Sequence, residues 1–546
     1  MTSVAPPPCD KGIVAAAPEG PTCAKSKEPF ILAATILASS MAFIDGTVVN
    51  VALPALQRSL GATLGDVQWV VEAYELMLAA LLLVGGAAGD RFGRRRVFVV
   101  GVLIFTVASI ACGLSQRVGF LIIARAVQGI GGALLVPGSL AIISASFDKE
   151  RRGRAIGTWS GFTAITMAFG PVLGGFIIDH GSWRYVFFLN VPLALVVLAL
   201  TLRHVPETRG GSQGGPLDWL GALLAAIGLL GVVYALIEGQ TTGWGDSIVL
   251  AALAMGLVAL PVFIIVEARL PAPMLPLGLF RSRDFAGANL LTLLLYAALA
   301  GSLFFLPMNL IQVQGYSTAA AGAALLPLVL LMFALSRWAG GLVAHYGAKL
   351  PLIIGPTIAA CGFALFAVPG VGGSYWLTFF PAAMVLGFGM TLTVAPLTTT
   401  VMQSVSPEAA GTASGINNAV SSVAGLLAIA SLGIVMSHTF NAELRGALAA
   451  AHLPSAIAED VESQRARLAA IDVASSASPE ARAAAQRAVA EAFVPGFRRV
   501  ALIAALLALA SAGIAWLTIG DVRRARGRRG SQPLTRAQSD SRRPSR

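Results

Sequence analysis

The stretch LMLAALLLVGGAAGDRFGRRRVFVVGVLIFTVASIACGL, residues 76–114, decides what kind of fold this chain takes. Two apolar runs flank a turn that carries Arg91, Arg94, Arg95 and Arg96. A bilayer core needs roughly 17–25 apolar residues per helix. Extended to residues 67–88 and 97–115, both runs meet that length. Arginines crowded into a short turn between two such runs stay on the cytoplasmic face. The stretch reads as a membrane hairpin with its turn inside.

The same pattern recurs along the chain. Of its 546 residues, 56% are hydrophobic and only 12% charged, and the mean hydropathy is +0.77. Soluble domains carry about 25% charged residues, so lipid must solvate most of this surface. Apolar segments long enough to cross a bilayer fall at 30–53, 67–88, 97–115, 118–145, 154–178, 184–202, 217–237, 247–267, 285–311, 319–343, 350–369, 374–402, 410–436 and 498–519. The expectation is an all-α polytopic membrane protein with 14 transmembrane helices. With the N-terminus inside, 26 of the 38 Lys and Arg residues fall on the cytoplasmic side and three, Arg58, Arg117 and Arg184, in outer loops. That bias places both termini in the cytoplasm of a multi-pass protein of the cytoplasmic (inner) cell membrane.

The net charge of +11 does not mark a nucleic-acid binder, because nine basic residues sit in the last 24, directly after the final span. Such a tail anchors topology or meets anionic lipid headgroups. Cys9, Cys23, Cys112 and Cys361 form no CxxC or Cys/His cluster, so neither a disulfide framework nor a metal site is expected. No nucleotide loop or catalytic Cys/His pair appears, which argues against an enzyme. The long polar stretch 437–497, rich in Ala, Glu and Arg, reads as an exposed helical hairpin between the last two spans. A weak internal repeat aligns GAAGDRFGRR (86–95) with GGLVAHYGAK (340–349), matching Gly86 to Gly340 and Gly93 to Gly347.

Several motifs, taken together and in this order, resemble the major facilitator superfamily, specifically its fourteen-span drug:proton antiporters. GAAGDRFGRRR (86–96) resembles the loop after span 2, RAVQGIGGA (125–133) the span-4 motif, GFTAITMAFGPVLGG (161–175) the span-5 motif of exporters, and IDGTVVNVALP (44–54) the span-1 pattern. WRYVFFLNVP (183–192), PLDWLGALL (216–224) and GTASGINNAVSSVAG (411–425) add to the match, which runs from about residue 30 to 519. The resemblance implies a cytoplasmic N-terminus at 1–28, read as disordered, and a six-helix bundle over 29–203. Two extra spans follow over 204–270, then a second bundle over 271–520 with the extracytoplasmic insert 437–497, and a basic tail over 521–546. It also implies gradient-driven transport of a small molecule without a cofactor.

The residues carry this chemistry to different degrees. Asp45, Glu72 and Glu75 are the acids placed clearly inside spans. A charge at a helix centre costs about 2.5–3.5 kcal/mol on insertion scales, so an acid kept there has a task or a partner. Asp45 is read as a proton or cation site, with a packing carboxylate bonded to Thr47 or another span as the rival. Glu72 and Glu75 share a helix face and serve as a second proton site, a site for cationic drugs or acids near the outer mouth. Glu75 departs from the small polar or apolar residue the family commonly has there. Arg125, with Gln128 one turn on, is either a coupling or charge-sensing residue or a structural arginine bonded to carbonyls. Gly86, Asp90, Arg91, Gly93, Arg94 and Arg95 read as a conformational switch. Gly161, Gly170, Pro171, Gly174 and Gly175 read as a close-packed, bendable helix, which the family uses in antiport. Gln128, Phe304, Phe305, Met308, Asn309, Gln312, Asn417 and Asn418 offer apolar and amide lining for a promiscuous cavity. Ser421 and Ser422 stand where the family usually has a basic residue. A proton-coupled exporter of small amphipathic drugs or antibiotics, acting as a monomer, is the expectation. An uptake symporter or a non-transporting sensor on the same fold are the alternatives.

Overall fold

The computed structural model describes residues 13–15, 27–209, 218–271, 273–405, 410–473 and 477–520. The tail 521–546 and nearly all of the segment 1–28 lie outside them. Fourteen helices among the described residues are long and apolar enough to cross a membrane. We number them span 1 (Glu28–Leu60), span 2 (Leu64–Phe92), span 3 (Arg94–Leu114), span 4 (Val118–Ser146), span 5 (Arg154–His180), span 6 (Arg184–His204) and span 7 (Trp219–Glu238). Span 8 (Ser247–Arg269), span 9 (Arg283–Val313), span 10 (Thr318–Leu335), span 11 (Lys349–Phe366), span 12 (Phe379–Gln403), span 13 (Thr412–Ala450) and span 14 (Pro479–Thr518) complete the set.

Local chemistry sets the helix ends. Thr63 and Asp66 form a reciprocal capping box that starts span 2, satisfying amide donors that would otherwise be orphaned. Gly93 ends it at φ 112, and Gly347, its repeat partner, takes φ 77. Both copies of the repeat therefore turn on a glycine in a conformation that L side chains rarely adopt.

Spans 1–6 pack among themselves, as do spans 9–14, while spans 7 and 8 pair with each other and span 7 leans on spans 2 and 13. Buried apolar residues show how the two bundles meet. On the Gly61 side, Val49, Leu53 and Leu56 of span 1 and Val67, Val70 and Val71 of span 2 share one core with spans 9–14. Toward the Gly93 side, Ile31, Ala38 and Met41 of span 1 join Phe98, Phe105, Leu135 and Ile142 in a core confined to the first bundle. The bundles share a core at one end, while at the other the first bundle has a core of its own and Leu83 of span 2 reaches Gly415 of span 13.

Segment 437–497 is built largely from extensions of the last two spans. Span 13 is 39 residues long and span 14 is 40, about 60 Å each at 1.5 Å per residue, so both continue well past a ~30 Å bilayer core. Their extensions bury Phe440, Leu444 and Leu448 against Ala485, Ala488, Val489 and Phe493. A short helix, Ser455–Ser463, and a 3₁₀ turn, Arg465–Ala470, close the top. Arg467 there lies over Gly61, 3.3 Å from where a Cβ would stand. Ile13–Ala15, within the N-terminal segment, pairs in parallel with Glu207–Arg209.

Candidate functional site

The buried charge of the first bundle is gathered by four spans. Asp45 of span 1 forms an ion pair with Arg125 of span 4, their side chains 0% and 1% exposed. Arg125 also donates to Gln128 Oε1 at 2.8 Å and, through Nε, to the Val70 carbonyl of span 2 at 3.0 Å. Gln128 Nε2 donates to Asp45 Oδ1 at 2.8 Å, and Asn190 Nδ2 of span 6 to the same oxygen at 3.2 Å. Asn190 is held in turn by Ser109 of span 3, which donates to the Phe187 carbonyl. The guanidinium lies 4.3 Å from the centre of the Tyr74 ring, a stabilising cation–π distance. Asp45 is therefore no isolated carboxylate, and Thr47 is not its partner: the Thr47 hydroxyl bonds back to Phe43 and Ile44 carbonyls. The Gly129 and Gly131 positions of span 4 lie against the Tyr74 and Phe105 backbones, so small residues let these helices close on the charges.

Glu72 stands apart. It is fully buried, and neither carboxylate oxygen has a hydrogen-bond partner. It borders a cavity of about 250 Å³ between the two bundles. Glu75 lines the same cavity with Gly46 and Asn50, and the second bundle contributes Tyr296, Phe304, Ser421 and Ser422. Tyr74 and Val70, both touching Arg125, lie on the same helix as the two glutamates, so the ion-pair knot and the cavity acids are joined through span 2.

The other residues proposed for the cavity take different places. Phe304 lines it, but Phe305 and Met308 pack into the core at 0% exposure, and Asn309 is buried at the start of a π-helical turn, Asn309–Val313. Gln128 belongs to the Asp45 knot. Gln312 donates to Gln57 Oε1 at 3.0 Å, bridging the bundles on the Gly61 side. Asn417 donates to Asn289 and Thr292 inside the second bundle, and Asn418 is exposed.

The glycine-rich span 5 is divided between two neighbours. A Cβ at Gly170 or Gly174 would meet Thr47 or Val48 of span 1, whereas one at Gly175 would meet Thr318 and Ala319 of span 10. From the other side, a Cβ on Gly322 would sit 2.6 Å from the Pro171 carbonyl carbon. Gly161 has open space around it. Asp179, which the sequence did not single out, accepts the backbone N–H groups of Thr318 and Ala319 at 3.0 and 2.8 Å. Gln68 donates to the Ile429 carbonyl at 2.7 Å. Together with Gln57–Gln312 these contacts close the Gly61 side.

In the loop after span 2, Asp90 pairs with Arg94 at 2.8 Å, and Arg94 reaches the Ala141 carbonyl of span 4. Arg95 binds the Val205 carbonyl, and its N–H donates to Glu207. Gly86 packs near Pro137. Arg91 is exposed beside Phe92. No cluster of three or more potential metal ligands occurs among the described residues.

Comparison with known proteins extends the geometry. The tetracenomycin C resistance and export protein of Streptomyces glaucescens is 32% identical over 498 residues, covering 89% of this chain and 91% of that protein. The multidrug resistance protein Stp of Mycobacterium tuberculosis is 34% identical over 438 residues, 79% of each. A bacterial homolog of the human lysosomal transporter Spinster, solved inward-facing and unoccupied, superposes with a TM-score of 0.62 at 18% identity, covering 91% of this chain and 97% of that one; that likeness speaks for the fold alone. The sequence profile of the Major Facilitator Superfamily matches residues 35–429, and the chain belongs to that superfamily.

Proposed function

We propose that this chain is a secondary exporter that trades protons for small amphipathic compounds, cationic ones above all. Its superfamily and its relatives, named for antibiotic and multidrug resistance and export, support export over uptake. The observation that carries proton coupling is Glu72. A carboxylate fully buried with no hydrogen-bond donor lacks a counter-charge, and an uncompensated buried charge costs several kcal/mol. A proton or a cationic cargo must supply that charge, and the two exclude each other. When cargo binds from the cytoplasm, the Glu72 or Glu75 proton leaves to water there; when the cavity opens outward, an incoming proton displaces the cargo. Asp45 and Arg125 form the internally neutral knot that ties span 2, and hence both glutamates, to spans 1, 4 and 6.

The arginine distribution supports a Gly93 side that faces the cytoplasm in a cytoplasmic-membrane protein. The fused Gly61 side is then the closed outer gate, and the chain stands inward-facing. It works as a monomer, needs no cofactor beyond the gradient, and binds its cargo between the bundles. The test is outward transport from proteoliposomes under an imposed proton gradient, with tetraphenylphosphonium as cargo. Glu72→Gln should abolish gradient-driven transport while leaving cargo binding measurable. Full gradient-driven transport by that variant would remove Glu72 from the mechanism.

A further inference from the structure

A second cavity, of about 610 Å³, opens on the Gly93 side, away from the cargo site. Arg91, Arg96 and Arg209 line it beside Trp219. These residues come from the end of span 2, the start of span 3, the strand after span 6 and the start of span 7, all at one membrane boundary. Below the arginines the walls turn apolar: Val97, Val100 and Leu134 continue the groove toward the span interiors. Val100 is 47% and Trp219 59% exposed.

The charge at the rim is largely uncompensated. Arg91 and Arg209 have no carboxylate partner among the described residues, and the Arg209 Nε is buried without an acceptor. Arg96 has only a 3.6 Å contact to Glu207, which also accepts the Arg95 N–H. Asp218, beside Trp219, is occupied in capping span 7 through the Gly221 N–H at 2.8 Å.

We propose that this groove is a binding site for one anionic phospholipid, its phosphate held by Arg91, Arg96 and Arg209 and an acyl chain laid along Val97, Val100 and Leu134. Arginine matches a phosphate oxygen pair, and tryptophan is favoured at the lipid–water boundary. A free phosphate would use the rim and leave the apolar walls bare. The chain's own tail, with nine basic residues in its last 24, is repelled by the same arginines. A bound lipid would bridge the span 2–3 loop to span 7, joining the first bundle to the extra pair of helices.

Native mass spectrometry of the full-length protein tests this. The protein is loaded with equal phosphatidylglycerol and phosphatidylcholine, then challenged with millimolar inorganic phosphate. One phosphatidylglycerol should be retained in preference and survive the phosphate. Arg209→Gln should weaken retention about fivefold, the effect of one basic residue near an anionic surface. Trp219→Ala should weaken it too, whereas Arg209→Lys, which keeps the charge, should hold the lipid and report an intact fold. Equal retention of phosphatidylcholine, displacement by phosphate, or undiminished binding in Arg209→Gln and Trp219→Ala would each overturn the assignment. So would loss of the lipid on neutralising Arg523, Arg524 and Arg526 in the tail with Arg209 intact.

Discussion

Asp45→Asn tests the buried knot most directly. Asp45 Oδ1 accepts two N–H donors, from Gln128 and Asn190, while Oδ2 faces Arg125. Asparagine keeps one acceptor and turns an NH₂ toward a donor, whichever way it flips. It also strands a guanidinium that is 1% exposed. Removing one partner of a buried pair costs about 3–5 kcal/mol, and Arg125→Gln should cost a similar amount by leaving the carboxylate among amides alone. The double variant strands neither charge. It should be no less stable than either single, which requires a coupling energy of at least about 3 kcal/mol. Unfolding in mixed micelles of dodecyl maltoside and dodecyl sulfate, followed by tryptophan fluorescence, measures all four corners of the cycle. If the two single effects add to within about 0.5 kcal/mol, the pair is not a coupled unit and the reasoning fails.

Three further outcomes follow from the cavity and the outer closure. Glu75→Gln should weaken binding of cationic cargo about tenfold, the scale of one lost charge-assisted contact, and leave neutral cargo unchanged; equal loss of both would place Glu75 outside recognition. Gly322→Ala would push a methyl group against Pro171 and Val172, and overpacking of about 1–3 kcal/mol should favour the outward-open form roughly 5- to 150-fold, read as faster labelling of a cysteine at Asn50 from outside. A Gln57→Cys, Gln312→Cys pair, joined by a short bifunctional reagent, should block transport reversibly, since those side chains meet at 3.0 Å; unimpaired transport in the linked protein would show that the Gly61 side need not open.

The span count, the turn glycines and the acids inside spans could all be read from local sequence, because each rests on length, charge or backbone preference within one segment. What could not be read are meetings between segments. Asn190 lies 145 positions from Asp45, and nothing in FFLNVP announces a carboxylate partner. Asp179 looks like an ordinary span-end acid until the N-terminus of span 10 is placed against it. The cavity lining was half visible: Tyr296, Leu299, Leu303 and Phe304 keep helical spacing, but Phe305 is turned about 100° away into the core. The π turn starts at Asn309, directly after the last α-helical residue, Met308, so Asn309 does not continue the lining face. In segment 437–497 the stripe Phe440, Leu444, Leu448 was present at i, i+4 spacing, hidden by alanines and charges that lower the mean hydropathy.

The distribution of charge between the halves also explains how such a molecule can move. The strong, desolvated pair, Asp45 with Arg125, lies wholly within the first bundle and would keep its partners if the bundles rock as proposed. Most contacts that must break lie between bundles and are weak. The Gln57–Gln312 and Gln68–Ile429 bonds are neutral, each worth about 0.5–1.5 kcal/mol net. Asp179 offers the exception, a charge against amides, and it sits exposed, where water can take over its bonds as the two spans separate. Close glycine packing at Gly175 and Gly322 adds dispersion that vanishes smoothly with separation. On the proposed mechanism, strong electrostatics inside one rigid body and replaceable contacts across the seam would let the charge state of Glu72 and Glu75, rather than the scaffold, decide which side of the membrane the cavity faces.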